Sequence, residues 1–164
     1  MISVAILTVS DSAFAGTRAD VSGPTIQRRC EELGWRVVAT AVLPDDEALI
    51  SRQLVEWTDG NAAELIVTTG GTGVSARDNT PEATSAVLER ELPGVSELMR
   101  MKGLEQTHLA VLSRGLAGTL KNSFIVNLPG SPSGALHSFR VIENLAPHVI
   151  KMLRGETEHG SQRN

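Results

Sequence analysis

Tyrosine is absent from this chain, tryptophan occurs twice and phenylalanine three times, so there is no aromatic platform for stacking nucleic-acid bases. Positive charge is also short. The formal net charge is -4 and no basic stripe appears, which argues against nucleic acid as a main partner. The single cysteine, Cys30, excludes an internal disulfide, and its helical spacing with Ile26 and Leu33 reads as a core position rather than a nucleophile. No lysine stands between Met1 and Lys102, which removes the P-loop, a motif that ends in Gly-Lys-Ser/Thr. The histidines, His108, His137, His148 and His159, show neither metal-ligand spacing nor a nearby cysteine pair, against a zinc site. No apolar run approaches the ~18 residues of a membrane span, and the chain starts directly on Ile2 to Val9 without a basic leader. A cytoplasmic protein with no membrane partner is the expectation.

What is present is alternation. At 164 residues with 41% hydrophobic content, the chain suits one compact domain. Ile2 to Val9 is apolar on both faces, as in a parallel sheet covered by helices. A loop over Ser10 to Ser22 follows, then a helix opened by Gly23-Pro24 and closed by Gly34. Trp35 to Leu43 reads as a strand nearer an edge, and Pro44-Asp45-Asp46-Glu47 leads into a helix with Leu49, Ile50, Leu54 and Trp57 on one face. A strand at Leu65 to Thr69, a helix at Thr80 to Glu91, a helix from about Val95 to Gln106, and short strands at Leu109 to Leu112 and Phe124 to Leu128 come next. Pro132 to Arg154 is helical, bent or split by Pro147. Strand and helix thus alternate as βαβ units, which predicts a three-layer, doubly wound α/β domain with a mostly parallel sheet over 1–154, and a polar tail over 155–164.

The densest chemistry follows Leu65 to Thr69, in Gly70-Gly71-Thr72-Gly73-Val74-Ser75-Ala76-Arg77-Asp78. Glycine allows backbone N–H groups to approach an anion, and the helix opened by Thr80-Pro81 turns a positive dipole end to the same space. Asp78 would repel a bare phosphate there unless a divalent cation bridges the two. Gly71 to Ala76 also satisfies the dinucleotide fingerprint Gly-x-Gly-x-x-Gly/Ala, but in that motif the helix opens among the glycines, and Glu89 and Glu91 sit at a helix end rather than a strand tip. A nicotinamide-dependent oxidoreductase is therefore the third reading, and a plain chain-reversing turn stands beside it.

Open α/β sheets bind ligands beyond the carboxyl ends of their strands. The residues there are Ser10-Asp11-Ser12, Asp45-Asp46, Thr69 to Asp78, Ser113-Arg114 and Asn127 to Ser131, a set suited to an anionic ligand and a metal. Each has a structural alternative: Ser131 before Pro132 reads as a helix cap, Asp45 or Asp46 as the cap of the next helix, and Asp11 as a solvated loop carboxylate. Gly130-Ser131-Pro132-Ser133-Gly134 puts proline where a nucleophile elbow needs serine, so a hydrolase triad is unsupported.

Thr69-Gly70-Gly71-Thr72-Gly73, Arg77-Asp78, Thr80-Pro81-Glu82-Ala83, Leu112-Ser113-Arg114 and Asn127-Leu128-Pro129-Gly130-Ser131-Pro132 occur in this order, with Ser10-Asp11 and Pro44-Asp45-Asp46 upstream. Across essentially its whole length the chain resembles the MogA/MoaB type of molybdopterin-binding domain, also found in gephyrin. The resemblance implies a molybdopterin adenylyltransferase of molybdenum cofactor biosynthesis, transferring AMP from ATP to the terminal phosphate of molybdopterin with Mg²⁺ and releasing pyrophosphate. It assigns Asp45 and Asp78 to catalysis and the metal. It assigns Gly70, Gly71, Thr72 and Gly73 to the phosphates, Ser113, Asn127, Gly130 and Ser131 to the pterin side, and Arg114 to the pterin phosphate or to a structural role. Ser10, Asp11, Thr69 and Pro129 join the substrate-binding set. It further implies a homotrimer and handover of product to a molybdenum insertase. A non-catalytic pterin-binding protein of the same fold is the alternative.

Overall fold

A computed structural model describes residues 1–156, leaving aside the side chain of Asn61; the polar tail expected over 155–164 lies, past Glu156, outside the described residues. Strands β1 (Ser3–Val9), β2 (Arg36–Leu43), β3 (Leu65–Thr69), β4 (Arg90–Glu91), β5 (Ala117–Leu120) and β6 (Ser123–Leu128) form one sheet in the order β2-β1-β3-β6-β5-β4. The first four in that order run parallel; β5 is antiparallel to β6 and to β4. β1, β3 and β6 are buried at every position, whereas β2 alternates exposed and half-buried residues, as an edge strand should.

The period of two sorts the core into two layers. Val4, Ile6, Leu65, Val67, Phe124 and Val126 face helices α2 (Ser22–Glu32), α5 (Pro93–Gly103), α6 (Pro132–Ile142) and α7 (Ala146–Leu153). Ala5, Leu7, Val9, Ile66 and Ile125 face α3 (Glu47–Thr58) and α4 (Thr80–Ser85). Cys30 is fully buried in the first layer, and burial pushes its thiol up to about 12, so it is no nucleophile at neutral pH. No helix among the described residues is long and apolar enough to cross a membrane.

Three expectations need correction. The loop over Ser10 to Ser22 contains a single helical turn, α1 (Asp11–Phe14), because the Ser10 hydroxyl accepts the Ala13 N–H at 3.2 Å. Leu109 to Leu112 is no strand. Thr107 caps a 3-10 helix over His108–Leu112, in which Leu109, Val111 and Leu112 are each more than half exposed. The sheet is filled by β5 instead, which has little apolar signal but whose Gly118 lets Leu88 and the Arg90 carbonyl come against its backbone. The helix expected over Thr80 to Glu91 ends at Ser85, and Arg90–Glu91 pairs with Thr119 and Gly118 as β4. The long C-terminal element is split into α6 and α7, one of the two forms expected of it, with Pro147 in the first turn of α7.

Candidate active site

Register carries four strand ends to one edge. Val9 pairs with Leu43, Thr8 with Thr69 and Thr69 with Leu128, so the segments starting at Ser10, Pro44, Gly70 and Pro129 emerge side by side. Gly70 (φ 99°) and Gly71 (φ 65°) turn the chain in the left-handed region. A side chain at Gly70 would strike the Val9 carbonyl, and one at Gly71 would strike the Thr80 hydroxyl and come within 2.6 Å of Asp45 Oδ2.

The peptide groups of this loop are sorted by direction. The Gly70 carbonyl accepts the Thr80 hydroxyl at 3.0 Å, and the Gly71 carbonyl accepts the Thr80 N–H at 3.1 Å. The Thr72 carbonyl accepts the Arg114 N–H at 2.9 Å, and the Gly73 carbonyl accepts Arg114 Nε at 2.7 Å. A trans peptide points its N–H opposite its carbonyl. The N–H groups of Gly71, Thr72, Gly73 and Val74 are therefore turned away from these anchors, and none has an acceptor among the described residues. Consecutive unpaired donors of this kind are suited to an anion.

Two carboxylates stand against the loop. Asp45 is 6% exposed, and its Oδ1 accepts the Asn79 N–H at 2.8 Å. Burial pushes the Asp45 carboxyl above the usual carboxylate range, and the nearby charges of Asp78 and Asp11 add to the effect against the Asn79 bond. Asp78 Oδ2 accepts the Ser75 N–H at 2.8 Å and lies 2.7 Å from where a side chain at Gly73 would begin. Asp46, not Asp45, caps α3 through the Leu49 N–H at 2.9 Å. Capping therefore does not explain Asp45.

Two cavities open near this edge, of which the first lies against the loop. One of about 400 Å³ is lined by Ser10, Thr69, Gly70, Gly71, Gly130 and Ser131 among others, together with Arg18. The other, about 550 Å³, is lined by Ser113, Asn127, Pro129 and Ser131, with Ser96, Arg100 and His137. Ser131 lines both cavities while its hydroxyl caps α6 through the Gly134 N–H at 3.2 Å. Several expected residues have their side-chain groups engaged within the protein. Thr69 Oγ1 donates to the Pro129 carbonyl at 2.7 Å. The fully buried Asn127 amide donates to the Thr68 and Thr84 hydroxyls, each at 3.0 Å, and accepts the Leu116 N–H at 3.0 Å. Asp11 accepts a two-point bond from Arg77, at 3.0 and 2.7 Å, and also receives the Asp45 N–H at 3.0 Å; Arg77 holds this carboxyl below its ordinary range. The Arg114 guanidinium is divided between the Gly73 carbonyl, the Asp78 carbonyl at 2.7 Å and Glu82.

Sequence reasoning missed Asn79, Thr80 and Glu82 as builders of this site. Their only signal was position: Asn-Thr-Pro-Glu reads as an ordinary helix start, and helix starts use such residues with no ligand in view. The dinucleotide reading fails on geometry, since α4 opens at Thr80 and not among the glycines.

Fold and site together define an α/β protein that presents a glycine-rich loop with unpaired amides and two carboxylates at the carboxyl edge of its sheet. A family model described as "Probable molybdopterin binding domain" matches residues 5–148. The chain belongs to that family. It is 36% identical, over 99% of its own length and 94% of the relative's, to a molybdopterin adenylyltransferase of Helicobacter pylori. It is 37% identical to the Drosophila melanogaster molybdenum cofactor synthesis protein cinnamon over 93% of its length, while spanning only 26% of that protein. The crystal structure of the molybdopterin biosynthesis enzyme MoaB from Thermus thermophilus superimposes with a TM-score of 0.89 at 43% identity, covering 94% of this chain and 98% of that one.

Proposed function

We propose that this protein is a molybdopterin adenylyltransferase of molybdenum cofactor biosynthesis. In the reaction, an oxygen of the terminal phosphate of molybdopterin bonds to the α-phosphorus of ATP, the bond from that phosphorus to the β-phosphate oxygen breaks, and pyrophosphate leaves. The observation that carries this reading is the run of four N–H groups, Gly71 to Val74, without an acceptor among the described residues and with two carboxylates against the same loop. Transfer between phosphates asks mostly for charge neutralisation and in-line placement, so unpaired amides and carboxylates suffice without a side-chain nucleophile.

Asp45 and Asp78 fit Mg²⁺, a hard cation commonly held by one or two carboxylates plus substrate phosphates. Asp45 Oδ2 has no donor among the described residues, and no group of three or more His, Cys, Asp or Glu there forms an all-protein metal cage. Bound there, Mg²⁺ would neutralise charge on the nucleotide phosphates. The loop amides hold the phosphates; Ser10, Gly130 and Ser131 border one ligand, and Ser113, Pro129 and Ser131 the pterin side. The protein acts in the cytoplasm, as ATP chemistry suits, and passes its product to a molybdenum insertase. It assembles as a homotrimer, a state supported by the apolar side chains of Met101, Leu104, Leu109, Val111 and Leu112, all exposed on one stretch of chain.

Incubation with molybdopterin, ATP and Mg²⁺, followed by analysis for adenylylated pterin and pyrophosphate, tests the activity. Tight pterin binding with no pyrophosphate formed would leave a binding protein in its place.

A further inference from the structure

For Arg114 two roles were open, a ligand of the pterin phosphate or a structural arginine. We propose that Arg114 is a positioning residue that aims the glycine-loop amides and touches no substrate, an inference that rests on the phosphate-binding reading of that loop.

Its contacts form a strap across both ends of the loop. The backbone N–H of Arg114 takes the Thr72 carbonyl at 2.9 Å, Nε takes the Gly73 carbonyl at 2.7 Å, and Nη2 takes the Asp78 carbonyl at 2.7 Å. Nη1 is paired with Glu82 on α4. Two of the four carbonyls whose orientation turns the amides outward are thus fixed by this one residue, and Thr80 fixes the other two. The Asp78 carbonyl belongs to one of the two residues assigned to the metal, so the strap also sets where that carboxylate stands. A guanidinium spread over three acceptors in a plane has little left to offer an incoming phosphate.

The two roles for Arg114 give opposite expectations for Glu82→Gln. If Arg114 were a phosphate ligand, removing its carboxylate partner would free it, and affinity for Mg-ATP would hold or tighten. If Arg114 aims the loop, Glu82→Gln loosens the strap and weakens Mg-ATP binding in the same direction as Arg114→Gln.

We expect Arg114→Gln to weaken Mg-ATP binding by calorimetry about tenfold, Glu82→Gln less, and the double variant no more than Arg114→Gln alone, the non-additivity of residues acting as one unit. Arg114→Lys should not rescue, because an ammonium is a point charge where the strap needs a fork. Hydrogen exchange of the Ser75 and Thr80 amides, which are bonded to Asp78 Oδ2 and to the Gly71 carbonyl, should quicken in both single variants when measured without any ligand. Unchanged exchange in a folded Arg114→Gln protein, tighter binding by Glu82→Gln, or rescue by lysine would each overturn the inference. Wild-type protein that fails to bind Mg-ATP while its loop exchange responds to Arg114→Gln would instead sink the functional reading and leave the positioning role standing.

Discussion

At the scale of single residues, the two carboxylates against the loop are held differently and should fail differently. Asp78 takes one amide bond from Ser75 and stands against Gly73, so Asp78→Asn keeps the shape and loses the charge. We expect most turnover to be lost while pterin affinity, read by fluorescence titration, stays within a few-fold. Asp45 carries a second, thermodynamic signature. Its folded-state pKa is raised by burial, so its ionised form is disfavoured in the fold. Stability from this group is then full below its unfolded pKa and is lost as pH rises through the raised value. Asp45→Asn removes that loss while its amide oxygen can still accept the Asn79 N–H. In metal-free protein the variant should melt above the wild type at neutral pH, and the gap should close in acid below about pH 4, the ordinary aspartate range. A constant gap across that range would refute the assignment of the strain to ionisation. None of this was legible in Pro-Asp-Asp-Glu, where both aspartates read equally well as caps; only the fold separates Asp46, the cap, from Asp45.

At the scale of elements, the glycine loop was legible as a cradle, but not which glycine does what. Gly71 adopts a positive φ and faces Thr80 and Asp45, whereas Gly73 does not and faces only the Asp78 carboxylate. Gly71→Val should therefore cost both stability, on the order of 1–3 kcal/mol for the strained backbone alone, and phosphate binding. Gly73→Ala should displace Asp78, lowering turnover with little change in melting temperature. Equal thermal losses in the two variants would contradict this division. The errors at this scale share a cause. Leu109 to Leu112 looked like a strand because a short apolar run has no period to betray it, and β5 was overlooked because Ala-Gly-Thr-Leu gains its place from the neighbours that pair with it. The true strands β1, β3 and β6 were readable because burial on both faces forces continuous apolar sequence.

At the scale of the molecule, the alternation of strands and helices was enough to predict a doubly wound sheet and hence the edge where the polar segments meet. Nothing in the spacing predicted the partners of Asn127 and Arg114, which lie far from them in sequence and close only once β6 and β3 are paired. The exposed apolar stretch Met101 to Leu112 bears on assembly. Val111→Asp combined with Leu109→Lys should convert the proposed trimer to monomer in light scattering while leaving the sheet, read by circular dichroism, unchanged; a trimer that persists would move the interface elsewhere.

The two cavities meet at Ser131, which borders both. Beside it, in the cavity of about 400 Å³, Gly130 passes Gly70 so closely that a side chain on Gly130 would begin 3.2 Å from the Gly70 Cα, so the lining there is bare main chain. How near a ligand lodged in that cavity can come to the loop is consequently set by what has been left out of the wall. Gly130→Ala would add one methyl to it. Each substrate should still bind alone, while the exchange between them, followed as pyrophosphate release, slows about tenfold or more, the scale on which small misplacements of reacting groups are felt.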